Sequence, residues 1–223
     1  MKRVQIAPSL MCADFLDLKA TLDLMAEQGT DYLHVDIMDG HYVPNLTLGP
    51  DFCRRLGEYS PIPLDIHLMV ESPDDFIPMF AGFPRALVSI HPEASRHPIR
   101  SLQLIESCGA RPAVALDPAL PVDSLRHLLP HVQMVCVMTV NPGYAGQKLI
   151  PGSLDKVRQA ARMAAGGGRP ISIEVDGNVS WENIPGMIEA GADILVAGTS
   201  SLFDPAAGLR ANYLRLARLL GRA

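Results

Sequence analysis

Residues 14–38 read DFLDLKATLDLMAEQGTDYLHVDIM, from Asp14 to Met38, and this stretch holds the unit from which the fold is read. Positions 14–28 repeat apolar residues at helical spacing, with Phe15, Leu18, Leu22 and Met25 on one face. Gly29 stops the pattern where a helix C-terminus favours glycine. After it comes 32–38, a short apolar run ending in two polar side chains that alternate with Val35 and Ile37. A helix, a turn and a strand buried on both faces follow one another within 25 residues.

Outward from that stretch the same unit recurs. Strands are expected at 4–10, 32–38, 62–70, 86–90, 113–116, 133–140, 171–176 and 194–197. They are rich in Val, Ile and Leu, as strands covered on both faces should be. Further amphipathic stretches lie at 153–165, 181–190 and 206–220, and Gly109 and Gly191 punctuate helix ends as Gly29 does. Eight strands alternating with eight helices predict a single α/β domain over 1–223, a closed (β/α)8 TIM barrel. A doubly wound open sheet is the alternative. Gly166-Gly167-Gly168 reads as a flexible loop between helix and strand.

Composition narrows the class. A chain of 223 residues, 48% hydrophobic and 19% charged, can bury a large core and is not a disordered sequence. A net charge of -5 gives no general attraction for nucleic acid or anionic membrane, so neither is expected as a partner. Four scattered cysteines without a C-x-x-C pair, and no signal sequence, point to a cytoplasmic protein with free thiols. No apolar run is long enough to span a bilayer.

Chemistry gathers at the C-terminal strand ends, the active face of such a barrel. Alternation puts His34, Asp36 and Met38 on one face of the second strand. His67 and Met69 share a face at the end of the third, and Asp176 ends the seventh. A lone histidine is ordinarily just hydrogen-bonded or on the surface. Convergence from three strand ends instead matches a site for one divalent metal ion: zinc, iron, manganese or cobalt, on His34, Asp36, His67 and Asp176. His41, His91, His97, His127 and His131 show no such grouping; His91 lies at a strand end, where a role behind a ligand is the alternative to an ordinary hydrogen-bonded histidine. Glycine-rich loops follow three strands: Asn141-Pro142-Gly143-Tyr144-Ala145-Gly146-Gln147, Gly177-Asn178, and Gly198-Thr199-Ser200-Ser201. Such loops let backbone N–H groups approach a phosphate, and the loops after strands seven and eight are the usual cradle in this barrel type.

These residues resemble the ribulose-phosphate 3-epimerase family over nearly the whole chain. The opening Ile6-Ala7-Pro8-Ser9-Leu10-Met11-Cys12-Ala13-Asp14 is similar to its first strand. His34-Val35-Asp36-Ile37-Met38-Asp39-Gly40-His41-Tyr42-Val43-Pro44-Asn45 is its most specific signature. Asp65-Ile66-His67-Leu68-Met69-Val70, Val140-Asn141-Pro142-Gly143 and Glu174-Val175-Asp176-Gly177 complete the match. The resemblance implies a ribulose-phosphate-binding barrel with a metal on His34, Asp36, His67 and Asp176, and Asp36 with Asp176 as the acid–base pair. It further implies Ser9 and His67 against the substrate, and Met38, Met69 and Met138 lining the reacting centre. Phosphate would be held at Gly143, Tyr144, Ala145, Gly146, Gly177, Asn178, Gly198, Thr199 and Ser200. Family members form dimers and hexamers, which implies a homo-oligomer.

Several positions depart from the commonest pattern. Leu10-Met11-Cys12 stands for Ile-Leu-Ser, Gly40 for asparagine, Ala145 and Asn178 for glycines, and 198–203 for a shorter loop. Each departure leans toward the D-allulose-6-phosphate 3-epimerase branch. The favoured expectation is therefore epimerisation of D-allulose 6-phosphate to D-fructose 6-phosphate, with D-ribulose 5-phosphate to D-xylulose 5-phosphate of the pentose phosphate pathway as the alternative. A decarboxylase or aldolase would want a lysine at a strand end. Lys2, Lys19, Lys148 and Lys156 end none. A non-catalytic phosphosugar-binding protein is the rival from another class, and the presence of both carboxylates and all four ligands weighs against it.

Overall fold

A computed structural model describes residues 3–222. One parallel sheet holds β1 (Gln5–Pro8), β2 (Leu33–Met38), β3 (Leu64–Met69), β4 (Leu87–Ile90), β5 (Arg111–Leu116), β6 (Met134–Met138), β7 (Ser172–Asp176) and β8 (Ile194–Ala197). Each strand pairs with the next in sequence from β2 to β8, and β8 pairs with β1. Between β1 and β2 the contact shortens to the bridge Ser9↔His34 and to the N–H groups of Asp31 and Tyr32 donating to the Ile6 carbonyl. That ring of neighbours excludes the open doubly wound sheet and leaves a nearly closed barrel.

Around it pack α1 (Leu18–Glu27), α2 (Pro50–Tyr59), α3 (Pro73–Phe80), α4 (Pro98–Ser107), α5 (Ser153–Ala165), α6 (Ile184–Glu189) and α7 (Leu209–Leu219). The eighth expected helix is not formed. Between β5 and β6 the chain makes short 3-10 turns at Val122–Leu125 and Leu129–His131, in a stretch carrying Pro118, Pro121 and Pro130. Proline removes a backbone donor and clashes with the preceding turn, so tight turns replace a regular α-helix. Phe15 is likewise not on the buried face of α1. It sits in a 3-10 turn before that helix, 54% exposed, with its ring edge-on to Phe52. Gly29, Gly109 and Gly191 do end helices in left-handed backbone, at φ 69°, 96° and 107°.

Strand alternation divides the core in two. Outward-facing Val35, Ile37, Ile66, Leu68, Val88, Ile90, Val135, Val137, Ile173 and Val175 meet helix residues such as Leu22, Met25, Leu56, Ile77, Leu102 and Ile105. Inward-facing Ala7, Leu87, Ala113, Ala115, Met134, Cys136, Met138 and Ile194 fill the lumen. The same alternation sends the polar residues of β2, β3 and β7 inward, above that apolar plug. Among the described residues no helix is long and apolar enough to cross a membrane.

Candidate active site

Register brings the strand-end residues into one layer. In the β2–β3 pair Asp36 lies opposite His67 and Met38 opposite Met69, and in the β6–β7 pair Met138 lies opposite Asp176. One donor atom from each of His34, Asp36, His67 and Asp176 falls within 4.8 Å of the others. His34 Nε2 stands 3.3 Å from Asp36 Oδ1 and 3.8 Å from Asp176 Oδ2. His67 Nδ1 stands 3.6 Å and 3.5 Å from the same two oxygens. Donors about 2.1 Å from a tetrahedral ion are separated by roughly 3.4 Å, so the spacing fits a first-row divalent metal. The two nitrogens are also fully buried without a hydrogen-bond partner. Orphaned lone pairs between two carboxylates are what a metal site looks like before its ion arrives.

Burial works against a charged His34, yet the carboxylates of Asp36 and Asp65 outweigh it and hold the imidazole well above its ordinary value. His67 is raised likewise against its own burial by Asp176 and Asp36. Burial alone would raise Asp36, but the two imidazoles beside it hold it well below the usual carboxylate range.

Three further buried residues, Asp65, Glu174 and His91, lie around the ligands. His34 Nδ1 donates to Asp65 Oδ2 at 2.5 Å, behind the donor nitrogen. Glu174 lies fully buried on the inward face of β7, where burial and then the Asp65 carboxylate push its pKa well up. His67 Nε2 meets His91 Nε2 at 2.9 Å, so the strand-end His91 is joined to the cluster from behind, the less favoured of its two expected roles. A signal for all three existed. Asp65 and Glu174 stand two residues before His67 and Asp176, and His91 two after Ser89, which pairs with His67. Ser9 Oγ donates to Asp36 Oδ2 at 2.6 Å, and Thr47 Oγ1 to the Asp36 carbonyl at 2.6 Å.

Above the four donors opens a cavity. Ser9, Asp36, Met38, Met69, Met138 and Asp176 line its floor, and Gly143, Tyr144, Ala145, Gly146, Gly177, Asn178, Gly198, Thr199 and Ser200 line its other wall. His67 is not among the residues that line the cavity. It is fully buried with its Nε2 against His91 and its Nδ1 facing the cluster. Asn178 takes a left-handed conformation at φ 46°, and its amide turns sideways, donating to Ser200 Oγ at 3.3 Å and accepting from Asn183 Nδ2 at 2.7 Å. The loop after β2 reaches across to the loop after β6: Asn45 Nδ2 donates to the Gly143 carbonyl at 2.8 Å, and Tyr144 Oη to the Pro44 carbonyl at 2.6 Å.

Comparison with known proteins bears on this geometry. The Ribulose-phosphate 3 epimerase family profile matches residues 5–203. Ribulose-phosphate 3-epimerase 2 of Cupriavidus necator is 45% identical over 208 residues, 92% of this chain and 86% of that protein. The ribulose-phosphate 3-epimerases of Serratia marcescens (92% and 98% coverage) and Bacillus subtilis (88% and 91%) are each 42% identical. Among solved structures, a mutant tryptophan synthase α-subunit from Pyrococcus furiosus aligns over 99% of this chain and 100% of its own, with a TM-score of 0.71. At 12% identity it shows the fold alone.

Proposed function

The chain belongs to the ribulose-phosphate 3-epimerase family, and on that premise we propose that it interconverts D-ribulose 5-phosphate and D-xylulose 5-phosphate. It is an epimerase of carbohydrate phosphates with a site for one divalent metal ion. The observation that carries the reading is the position of Asp36 and Asp176: two carboxylates three strands apart around the barrel, facing one cavity and converging on the same two imidazole nitrogens.

Inverting C3 requires loss of a proton next to the C2 carbonyl and its return on the opposite face. Bound at the four donors, a zinc, iron, manganese or cobalt ion would polarise that carbonyl and offset the enediolate's charge. Asp36 and Asp176 take the proton from one face and return it to the other, exchanging roles with reaction direction. Ser9, donating to Asp36 Oδ2, fixes that carboxylate's orientation. Met38, Met69 and Met138 keep the floor apolar and exclude water. The loops at 143–146, 177–178 and 198–200 hold the phosphate through backbone N–H groups.

The five-carbon substrate replaces the earlier lean toward D-allulose 6-phosphate. Relatives at 42–45% identity bear the ribulose-phosphate name. The departures that prompted the lean are absorbed locally: Asn178 bonds within its own loops, and Cys12 Sγ packs 3.4 Å from where a Cβ on Gly198 would lie. Cytoplasmic location and assembly as a homo-oligomer, a dimer or a hexamer, belong to the same reading. Phe15 and Leu16, adjacent and exposed, offer an apolar surface for such a contact. Sedimentation of L16E beside the parent tests the assembly.

The deciding experiment presents both sugar phosphates in heavy water and follows C3 by NMR, before and after chelation. Deuterium entering C3 of ribulose 5-phosphate at the higher kcat/KM, and stopping on chelation, is the expected result. A higher kcat/KM on allulose 6-phosphate would return the reading to the six-carbon ketose. No exchange on either sugar with metal restored would leave a phosphosugar-binding protein.

A further inference from the structure

His67 is held from behind by residues that no step above uses. Its Nε2 lies 2.9 Å from His91 Nε2, with the ring centroids 5.1 Å apart and the ring planes 27° apart. His91 Nδ1 then faces Glu93 Oε1 at 3.3 Å, and the same oxygen accepts from Tyr42 Oη at 2.8 Å. The Tyr42 ring lies 4.7 Å from that of His91 and covers it. His67 and His91 are fully buried, so water does not take over these contacts.

The order of donors in this chain admits one solution once a metal occupies the site. A neutral imidazole that gives its Nδ1 lone pair to an ion carries its proton on Nε2. That proton needs an acceptor, and the atom facing it is His91 Nε2. His91 must then carry its own proton on Nδ1, the atom that lies 3.3 Å from Glu93 Oε1. Tyr42, a donor, shares that same Glu93 oxygen.

We propose that His91, Glu93 and Tyr42 form a positioning chain that fixes the tautomer and ring orientation of His67, so that its Nδ1 lone pair faces the metal. The inference rests on the metal reading of the four donors. It couples the loop after β2, which carries Tyr42, to a ligand on β3 through residues just beyond β4. Partners behind a metal-binding histidine commonly change metal affinity by roughly 10–100-fold when removed.

The direct test needs no variant. Long-range proton–nitrogen NMR of the zinc-loaded protein, labelled at histidine nitrogen, reads each tautomer. The expected spectrum shows His67 protonated on Nε2 and zinc-shifted on Nδ1, with His91 protonated on Nδ1. A His91 protonated on Nε2, with zinc on His67, overturns the chain and leaves the metal site standing. Zinc that leaves the resonances of His34 and His67 unmoved overturns both together. In a second arm, cobalt affinity is measured by competition with a chelator, and the visible spectrum of the bound cobalt is recorded. His91→Leu should weaken binding at least tenfold and alter the spectrum. His91→Gln, whose amide oxygen can accept from His67, should recover most of the loss. Folded His91→Leu protein with parental cobalt affinity and spectrum would refute the proposal.

Discussion

At the scale of single residues, sterics and proton transfer set the sharpest demands. Gly177 has φ +113°, and a Cβ there would lie 2.5 Å from Val140 Cγ2 and 2.8 Å from the Val140 nitrogen. Gly177→Ala therefore combines backbone strain with overpacking and should cost about 3 kcal/mol of stability, read as a lower urea midpoint. Asp36→Asn and Asp176→Asn each remove one of the two proton carriers while keeping the shape. Each should lower kcat by about 10³-fold or more in protein whose metal content has been measured. Turnover within tenfold of the parent in either variant sinks the two-base scheme. The four donors were legible in the sequence because a period of two dictates which side chains share a face. Asp65 and Glu174 obey the same period but were passed over, since nothing in the sequence says which inward carboxylate touches a ligand and which supports one. His91 was harder still: its contact with His67 depends on ring orientation across the β3–β4 pair.

At the scale of elements, the segment between β5 and β6 is the instructive case. Its apolar residues Val122, Leu125 and Leu129 are buried as a helix's would be, yet its backbone bonds run over three residues, as from Leu128 N–H to Leu125 C=O and His131 N–H to Leu128 C=O. The hydrophobic spacing was readable, whereas the winding was decided by prolines competing with it. A neighbour compensates. Lys156 on α5 donates to the carbonyls of Asp117, Pro118 and Leu120, at 2.9, 2.6 and 2.5 Å, gathering the start of this segment around one ammonium. Lys156→Met keeps the stem and removes the charge. It should cost about 2 kcal/mol and speed amide exchange across 118–131, with kcat unchanged. Unaltered exchange there would show that packing alone holds the turns. Six of the eight strands were drawn too long, by one or two residues at an end and mostly at their starts, whereas β5 begins two residues earlier than expected, at Arg111.

At the scale of the whole molecule, the metal site ties stability to pH. His34 and His67 have folded pKa values above the ordinary 6.5, so in metal-free protein their contribution is complete below that value and is lost as pH rises through the folded ones. Asp36 is depressed below the ordinary 3.8, so its contribution is present above that value and is lost as pH falls through the folded one. Chelated protein should accordingly be most stable between about pH 4 and 6.5 and should melt progressively lower above it. Metal replaces those protons, so the rise in Tm on loading should be larger at pH 8 than at pH 6. A rise independent of pH would mean that the imidazoles are not the groups displaced.

The donors come from β2, β3 and β7, so Asp36 and Asp176 are separated by more than half the chain. Three of the four ligands emerge early in synthesis and the fourth late. A nascent chain holding only His34, Asp36 and His67 has an open, incomplete claw, and the full grip forms after β7 leaves the ribosome and β8 closes against β1. Metal capture is therefore a late event in the protein's making, a seal set on a barrel already rolled.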